Sequence, residues 1–416
     1  MKNFIAAFTH SKGQYILIAN LVTKVISMLI LILMTHLISQ SIWGDIVFAN
    51  TIISFFVFFM GGGLHEGIIR HGVLLGGQSH KKTLFQFGLK RGLIYSFGII
   101  VLILLLNPLL TRTLPNAFWF LILLSLQIIS LYLARLVKSY ARIIHKNQLY
   151  ARIEIEQSIV LLILVIILSS FLDGLGYVMA LIMAPFLVGI FYIYKLKLLR
   201  KSPFTISTNL LKQLQRYSLE ISLSNAIAHL LFVIDIFILG YFMGDTDVAQ
   251  YKASSVFPFS MSILALSVIT SDYVKLAKYS ETDKSEIKKY FINYLKIFFL
   301  IGLGIIGFFY FFEPYLLLLF GKDYHESKGL MFIFSIGIMG SLLLRVPLWN
   351  ILAAVGWSKI RFGLSISSVI INIVICYFLT KNYGLLGTAI STAMMMWISG
   401  LLSLGAFIFY LRKGRK

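Results

Sequence analysis

The sequence predicts an all-α polytopic membrane protein with twelve transmembrane helices. Of its 416 residues, 59% are hydrophobic and only 13% are charged, and its mean hydropathy is +0.89. A soluble domain is about 45–50% apolar and about 25% charged. Apolar runs long enough to span a bilayer, about 20 residues each, recur along the chain. Basic residues are concentrated on alternate connections between these runs, which is typical of a chain that crosses a membrane repeatedly.

Twelve apolar runs are long enough to be spans. The segment before the first run is too short and too polar to be a secretory signal, so we expect the first run to stay in the membrane. In chain order the predicted spans are 14–38, 44–64, 88–110, 116–134, 152–171, 175–194, 217–242, 248–271, 291–319, 328–350, 360–380 and 384–411.

The basic residues predict the orientation of the chain. Of the 37 Lys and Arg residues, 31 lie on or beside the even-numbered connections and the two termini. The odd-numbered connections contain only Arg112, Lys322, Lys328 and Lys381. By the positive-inside rule both termini are therefore cytoplasmic. The net charge of +21 is explained by this topology and by contact with anionic lipids, so no nucleic-acid partner is expected.

Several classes of chemistry have no support in the sequence. Cys376 is the only cysteine, which excludes disulfides within the chain and thiolate metal sites. No Walker A motif, HExxH motif or G-x-S-x-G motif is present, so neither direct ATP drive nor these hydrolase types are indicated. We therefore expect no enzyme activity, no catalytic residues, no cofactor and no metal.

The chain divides near its middle. A basic connection containing Pro203 predicts a cytoplasmic linker with an amphipathic interfacial helix. The predicted domains are an N-terminal six-helix lobe (1–194), the linker (195–216) and a C-terminal six-helix lobe (217–416). The halves are similar in places: "GLGYVMAL" from Gly174 resembles "GLLGTAIS" from Gly384. Repeated halves of this kind are typical of transporters that open a central cavity alternately to each side.

Lys24, Asp235 and Lys252 are charged residues within predicted spans, where a charge costs roughly 2.5–3.5 kcal/mol to insert. Lys24 lies near the middle of span 1, so we expect it to face a cavity, the alternative being a lysine that snorkels to the interface. Asp235 and Lys252 flank the same acidic turn between spans 7 and 8. They form either a static ion pair that fixes the two helices or, when separated, a site for substrate or a coupling proton.

Further cations lie at the cytoplasmic ends of spans. Span 2 ends in "GGGLHEGIIRHG", which places Arg70 beside His65, Glu66 and His71. This cluster is either a solvated helix end or an entrance site for an anionic head group. Arg345, shortly before Pro347 on span 10, is likewise either a snorkelling arginine or a second cation at this mouth.

Four stretches carry a resemblance to a known family. They are "HLISQSIWGDIVFANTIISFFVFFMGGGLHEGIIRHG", "ILGYFMGDTDVAQYKASSVFPF", "FGKDYHESKGLMFIFSIG" and "NYGLLGTAISTAMM". Together they resemble, in order and across essentially the whole chain, the polysaccharide-unit flippases of the Wzx type in the MOP (MATE/MVF-like) superfamily.

The resemblance implies a protein of the bacterial inner membrane with two six-helix lobes around a central cationic cavity. It implies transport of an undecaprenyl-pyrophosphate-linked oligosaccharide from the cytoplasmic to the periplasmic leaflet, with membrane lipids and other polysaccharide-assembly membrane proteins as partners. Related flippases place cations for the pyrophosphate on spans 1, 2 and 8. Lys24 and Lys252 match spans 1 and 8, whereas Arg70 lies beyond the apolar core of span 2. As a separate hypothesis, which the resemblance does not imply, Asp235 or a mouth histidine carries a coupling proton.

Two alternatives remain at this point. A MATE-like exporter of small cations shares the superfamily, but it requires an acidic binding site, and Asp235 is the one obvious acid within the spans. A membrane glycosyltransferase or O-unit polymerase requires a sizeable external loop with catalytic residues, and the outer connections, such as "SQSIW" and "LDGLG", are short.

Overall fold

The computed structural model describes residues 13–73, 75–200, 207–282 and 284–412, and every regular element in these ranges is helical. The chain ends, for which a cytoplasmic location is predicted, lie outside the described residues, as do residues 201–206 of the predicted linker. The α-helices are α1 (Gly13–Leu37), α2 (Gln40–Phe56), α3 (Leu64–Gly72), α4 (Gln78–Leu110), α5 (Ala117–Ser125), α6 (Gln127–Ile143), α7 (Asn147–Lys195), α8 (Thr208–Phe242), α9 (Asp245–Ser260), α10 (Ser262–Thr282), α11 (Lys284–Leu318), α12 (Leu330–Gly340), α13 (Val346–Ala354) and α14 (Ser358–Arg412).

Nine of the described helical segments are long and apolar enough to cross a membrane, or ten if the bent helix α8 counts as one span. Two of the nine, α7 with 49 residues and α14 with 55, are unusually long. At 1.5 Å per residue α7 would measure about 74 Å, more than twice the roughly 30 Å hydrocarbon core. Each of the two contains a break in its backbone and therefore has room for two crossings. The arrangement of twelve helices in two lobes around a cavity stays a prediction.

The chain forms two compact units, Met1–Ala226 and Ile227–Lys416. The division falls within α8, whose first part packs with the N-terminal unit and whose second part belongs to the C-terminal unit. Residues 208–216 of the predicted linker form the beginning of α8. The predicted boundaries of the lobes and the linker stay a prediction.

The breaks in α7 and α14 occupy equivalent positions of the two halves. Asp173 has φ 48° and ψ −129°, and Gly384 has nearly the same values, φ 56° and ψ −137°. Shortly after each break, Gly176 and Gly387 approach the carbonyl group of the residue eight positions earlier so closely that a Cβ atom would collide with it. This common backbone geometry supports the repeat seen in the sequence but shifts its register by one residue, because Asp173 and not Gly174 corresponds to Gly384.

A second pair of equivalent positions lies near the ends of α4 and α11. Asn107 and Glu313 each precede a proline inside the last turns of their helices. The amide of Asn107 donates to the Phe118 carbonyl at 3.2 Å. The carboxylate of Glu313 accepts from the backbone N–H groups of Gly329 at 2.8 Å and Met331 at 2.9 Å. In each half, a polar side chain thus ties the end of one helix to the beginning of a following one.

In the N-terminal unit, α2 is followed by a bend in the form of a short 3-10 segment, Val57–Gly63. Gly61, Gly62 and Gly63 all have positive φ, between 59° and 70°, which residues other than glycine rarely adopt. The backbone N–H of Gly61 donates to the Ser96 hydroxyl at 2.9 Å. A Cβ atom at Gly61 would collide with the ring of Tyr132. The bend therefore requires glycine for both conformation and space.

In the C-terminal unit, α12 and α13 are joined by a π-helical turn, Ser341–Arg345. Such turns occur mostly as single bulges within α-helices and are frequent at functional sites. Pro347 follows at once and lacks the N–H that an α-helix requires there. Gly400 of α14 lies against this turn, since a Cβ atom there would be 2.7 Å from Leu344 Cβ and 3.2 Å from the Arg345 nitrogen.

Candidate functional site

Asp235 of α8 is the centre of a polar network inside the C-terminal unit. Its side chain is buried, with 2% of the residue exposed. Oδ1 accepts a hydrogen bond from Asn372 Nδ2 at 2.8 Å, and Oδ2 accepts one from Thr392 Oγ1 at 2.7 Å. The Tyr251 hydroxyl lies 2.8 Å from Thr392 Oγ1 and 3.4 Å from Asp235 Oδ2. These bonds offset much of the cost of burying the carboxylate, because hydrogen bonds to an ionised group are the strongest in proteins.

The same network has the donor atoms of a small cation site. Asn372 Oδ1 is buried and has no hydrogen-bond partner among the described residues. Carboxylate, amide and hydroxyl oxygens are the ligands that hard cations prefer. No group of three or more His, Cys, Asp or Glu side chains within the described ranges could hold a metal ion. The oxygen atoms around Asp235 are therefore suited to a proton or a hard cation.

Sequence reasoning identified Asp235 but missed its partners. Asn372 and Thr392 lie far along the chain on α14, and an amide or hydroxyl in an apolar helix gives no signal by spacing. On α9 it is Tyr251 whose hydroxyl approaches the carboxylate. Lys252 follows it, partly exposed, and its carbonyl accepts from Ser255 Oγ at 3.0 Å. The Asp235–Lys252 ion pair stays a prediction.

Arg345 lines a cavity of about 470 Å³ within the C-terminal unit. It also lines a much smaller void that reaches Asp235 and Thr392, and the charges of Arg345 and Asp235 interact. Arg345 is partly buried, so the structure places it in the wall of the cavity. The lining residues of the large cavity come from the second part of α8, the end of α9, α10, α12, the π-helical turn, α13 and α14.

Lys24 is exposed on the surface of the N-terminal unit. The neighbouring Thr23 hydroxyl accepts a hydrogen bond from Ser158 Oγ at 3.1 Å, which turns this side of α1 towards α7. Because successive residues of an α-helix are about 100° apart, Lys24 lies to one side of that contact. Its predicted role in binding the substrate stays a prediction.

Arg70 is an exposed residue in the last turn of α3. Its guanidinium carbon lies 4.3 Å from the centre of the Tyr217 ring, a distance typical of a cation–π contact. The His71 ring also lies against Tyr217, edge to face, with centroids 5.9 Å apart. Tyr217 belongs to the first part of α8, so this contact is internal to the N-terminal unit.

A buried ion pair in the N-terminal unit was not recognised in the sequence. Lys138 of α6, only 9% exposed, lies 2.8 Å from Glu154 Oε2 of α7 and 3.3 Å from Gln157 Oε1. His65 of α3, which is also buried, lies 3.7 Å from Glu66. In the sequence Lys138 is one of the cytoplasmic charges that predict the topology, because charge counting does not distinguish a solvated lysine from a paired one.

The chain has the fold of the MOP superfamily of transporters. It is similar in structure to the lipid II flippase MurJ in an inward closed conformation, with a TM-score of 0.74 and 15% identity over 94% of this chain and 86% of the other. It is also similar to an inward-facing multidrug resistance MATE family transporter of the MOP superfamily, with a TM-score of 0.71 and 14% identity over 92% and 94% of the two chains. At such identities the likeness defines the fold and not the activity.

The sequence comparison identifies the family. The model of the family described as "Polysaccharide biosynthesis protein" matches residues 16–329, about three quarters of the chain, and the chain belongs to this family. It is also 27% identical, over 183 residues, to the "Putative O-antigen transporter" of Shigella flexneri. That match spans 44% of this chain and 43% of the relative, less than half of either. The predicted resemblance to polysaccharide-unit flippases of the MOP superfamily is confirmed.

Proposed function

We propose that this chain is a flippase that moves an undecaprenyl-pyrophosphate-linked oligosaccharide from the cytoplasmic to the periplasmic leaflet by alternating access. The observation that carries the proposal is the family match over residues 16–329. The relative named as an O-antigen transporter and the fold shared with a lipid flippase support it. The protein would lie in the bacterial inner membrane with both termini in the cytoplasm, and it would move its substrate without altering it, so it is not an enzyme.

The pyrophosphate head group requires cations, and we assign this role to Lys24, Arg70 and Lys252. Lys24 and Arg70 are exposed on the N-terminal unit. Lys252 is partly exposed on the C-terminal unit. Lysine acts as a point charge and arginine as a flat bidentate donor, and both bind phosphate through charge-assisted hydrogen bonds. The lipid tail would remain among membrane lipids, and other polysaccharide-assembly membrane proteins would supply and receive the oligosaccharide.

Coupling to an ion gradient would take place at Asp235. A proton or a monovalent cation bound there would neutralise a buried carboxylate that is otherwise held by Asn372 and Thr392. Neutralisation changes the electrostatic cost of burial, so occupancy would bias the packing of α8 against α14. A histidine at the end of span 2, His65 or His71, is the alternative coupling group.

The leaflet assay tests the proposed function directly. In cells of the source bacterium depleted of this protein, lipid-linked oligosaccharide should accumulate on the cytoplasmic leaflet, and the wild-type chain should relieve the accumulation. Lys24→Ala should fail to relieve it, whereas Lys288→Ala, which removes an exposed lysine of α11, should behave as wild type. An unchanged leaflet distribution after depletion would refute the flippase proposal.

Asp235→Asn tests the coupling role. The variant keeps the shape of the side chain but removes the charge that attracts a cation, so flipping should lose its dependence on the Na⁺ or proton gradient. Flipping is measured in vesicles while each gradient is collapsed in turn with an ionophore. If flipping by Asp235→Asn depends on the gradients as flipping by the wild type does, the coupling group is another residue.

A MATE-like exporter of small cations is the second candidate function, favoured by the structural likeness to a MATE transporter. The buried Asp235 is the acidic group that such an exporter would use. Experiment distinguishes the two functions. An exporter would leave the distribution of lipid-linked oligosaccharide between the leaflets unchanged and would lower the accumulation of a cationic dye in the cells. A glycosyltransferase or polymerase would instead change the length of the oligosaccharide.

A further inference from the structure

The cavity of about 470 Å³ within the C-terminal unit has the size of a ligand pocket, which typically measures about 300–1,000 Å³. The described residues that line it lie between Ile227 and Ser399 and belong to this unit. The residues assigned above to the pyrophosphate, Lys24, Arg70 and Lys252, do not line it. The cavity is therefore a separate place where part of a substrate can bind.

The wall of this cavity combines hydroxyl, amide and aromatic groups. Ser341, Ser365, Ser368 and Ser399 line it together with Asn350. Ser368 is only 2% exposed, and its hydroxyl has no hydrogen-bond partner among the described residues. A buried hydroxyl without a partner costs free energy, which a ligand that hydrogen-bonds to it recovers.

Two aromatic rings add apolar surface to this polar wall. Trp349 and Phe259 both line the cavity. A flat ring beside hydroxyl and amide groups matches a sugar, which presents apolar C–H faces and a rim of hydroxyls. A purely apolar ligand would leave Ser368 and its polar neighbours without partners.

The charge of the cavity limits what the sugar can carry. Of the described residues that line it, only Arg345 and His229 can bear a positive charge. The carboxylate of Asp235 lies just behind Arg345, across the small void that both line. While this carboxylate is ionised, it offsets the charge of Arg345. Once the coupling proton or cation proposed above neutralises Asp235, Arg345 contributes one positive charge, which is too little for a pyrophosphate with its more than one negative charge. A single carboxylate matches one guanidinium, which binds it with two parallel hydrogen bonds.

We propose that this cavity binds a sugar unit that carries one carboxylate, with Arg345 on the carboxylate, Ser368 and Asn350 on the hydroxyls and Trp349 against the ring. The inference rests on the proposed function, since it names the class of oligosaccharide that the flippase carries. In this proposal Arg345 does not bind the pyrophosphate, which is left to Lys24, Arg70 and Lys252. Arg345 instead selects an acidic repeat unit over a neutral one.

Binding to the purified full-length protein in detergent tests the proposal. The probes are an oligosaccharide of uronic acids, a neutral oligosaccharide of the same length and inorganic pyrophosphate, each titrated by calorimetry. The acidic oligosaccharide should bind about tenfold or more tightly than the neutral one, because a hydrogen bond to a charged group contributes about that factor. Arg345→Gln should abolish this preference, and Arg345→Lys should retain part of it.

Two further variants separate a local effect from misfolding. Ser368→Ala should weaken both oligosaccharides several-fold and leave the preference intact. Lys381→Gln, which changes an exposed lysine of the same unit, should change neither. Equal affinities for the acidic and neutral probes, displacement of the acidic probe by pyrophosphate, or no binding of either probe would each overturn the proposal. If the leaflet assay gives the expected result and the binding titrations do not, the flippase proposal stands and only the proposed class of acidic substrate is refuted.

Discussion

The buried carboxylates of Glu313 and Asp235 accept hydrogen bonds from different kinds of donors, backbone N–H groups for Glu313 and side chains for Asp235. This difference indicates different roles. Glu313 is held by the backbone N–H groups of Gly329 and Met331 at the start of α12. These donors are fixed, and the positive end of a helix favours a negative charge. Asp235 is held by the side chains of Asn372 and Thr392. Such side chains can rotate and exchange one hydrogen bond for a ligand, so Asp235 is suited to binding and Glu313 to structure.

Glu313→Ala should destabilise the protein, because the two N–H groups lose a charged acceptor. Hydrogen bonds to charged groups contribute about 1.5–3 kcal/mol each, so the free energy of unfolding should fall by a few kcal/mol. Glu313→Gln should lose less, since its amide oxygen still accepts. Thermal unfolding of the purified protein in detergent measures both.

The control for this prediction is Glu286→Ala. Glu286 pairs with Lys289 at 2.8 Å on the surface of α11, and exposed pairs contribute about 0–1 kcal/mol. A Glu313→Ala protein as stable as the control would show that the carboxylate does not cap α12.

At the scale of the helices, the two backbone breaks offer a matched comparison. Asp173 in α7 and Gly384 in α14 share a conformation with positive φ that suits glycine and strains other residues. The C-terminal half therefore has glycine, which adopts this conformation without strain, at the break. The N-terminal half has an aspartate, which is strained there. The acidic side chain at the N-terminal break is not required by the backbone geometry.

Asp173→Gly should raise the melting temperature, because it relieves strain of about 1–3 kcal/mol, less the entropy that glycine loses on folding. The reciprocal change Gly384→Asp should lower it, both by strain and because a Cβ atom would lie 3.3 Å from the Met243 side chain. Differential scanning fluorimetry on the two variants gives the answer. A lower melting temperature for Asp173→Gly would show that the carboxylate itself stabilises the turn.

The ion pair between α6 and α7 predicts a second effect at this scale. Glu154→Gln should destabilise the protein by about 3–5 kcal/mol, because the charge of the buried Lys138 is left uncompensated. Lys138→Met should cost less, because Glu154 is only partly buried. The double variant should be more stable than the sum of the two single changes implies. A double-mutant cycle on unfolding measures the coupling, and strict additivity would contradict a direct interaction of Lys138 with Glu154.

At the scale of the whole molecule, the distribution of basic residues predicts the topology. Because Cys376 is the only cysteine and is buried, a Cys376→Ala background permits labelling at single introduced cysteines. Arg112→Cys and Lys381→Cys, on predicted outer connections, should react with an impermeant maleimide in intact cells. His145→Cys, on a predicted inner connection, should react only after permeabilisation. The reverse pattern would invert the predicted orientation.

Much of the fold was accessible from the sequence, but most of the candidate site was not. Hydropathy predicts helices that cross a membrane because only a hydrogen-bonded backbone is tolerated in hydrocarbon. Asp235 was identified because a charge in an apolar run is costly. Asn372, Thr392 and Ser368 were missed, since neutral polar side chains are ordinary in such helices and their contacts join distant parts of the chain.

The sequence by itself determined the helical membrane class and the family, and it predicts the orientation and the repeated halves, because each depends on local composition, spacing or charge counted along the chain. The tertiary structure alone decided which polar groups meet. It paired Lys138 with Glu154, placed Asn372 and Thr392 on Asp235 and put Arg345 in the wall of a cavity. These contacts depend on how helices rotate and pack, and in helices that are apolar on every face no periodicity encodes that rotation.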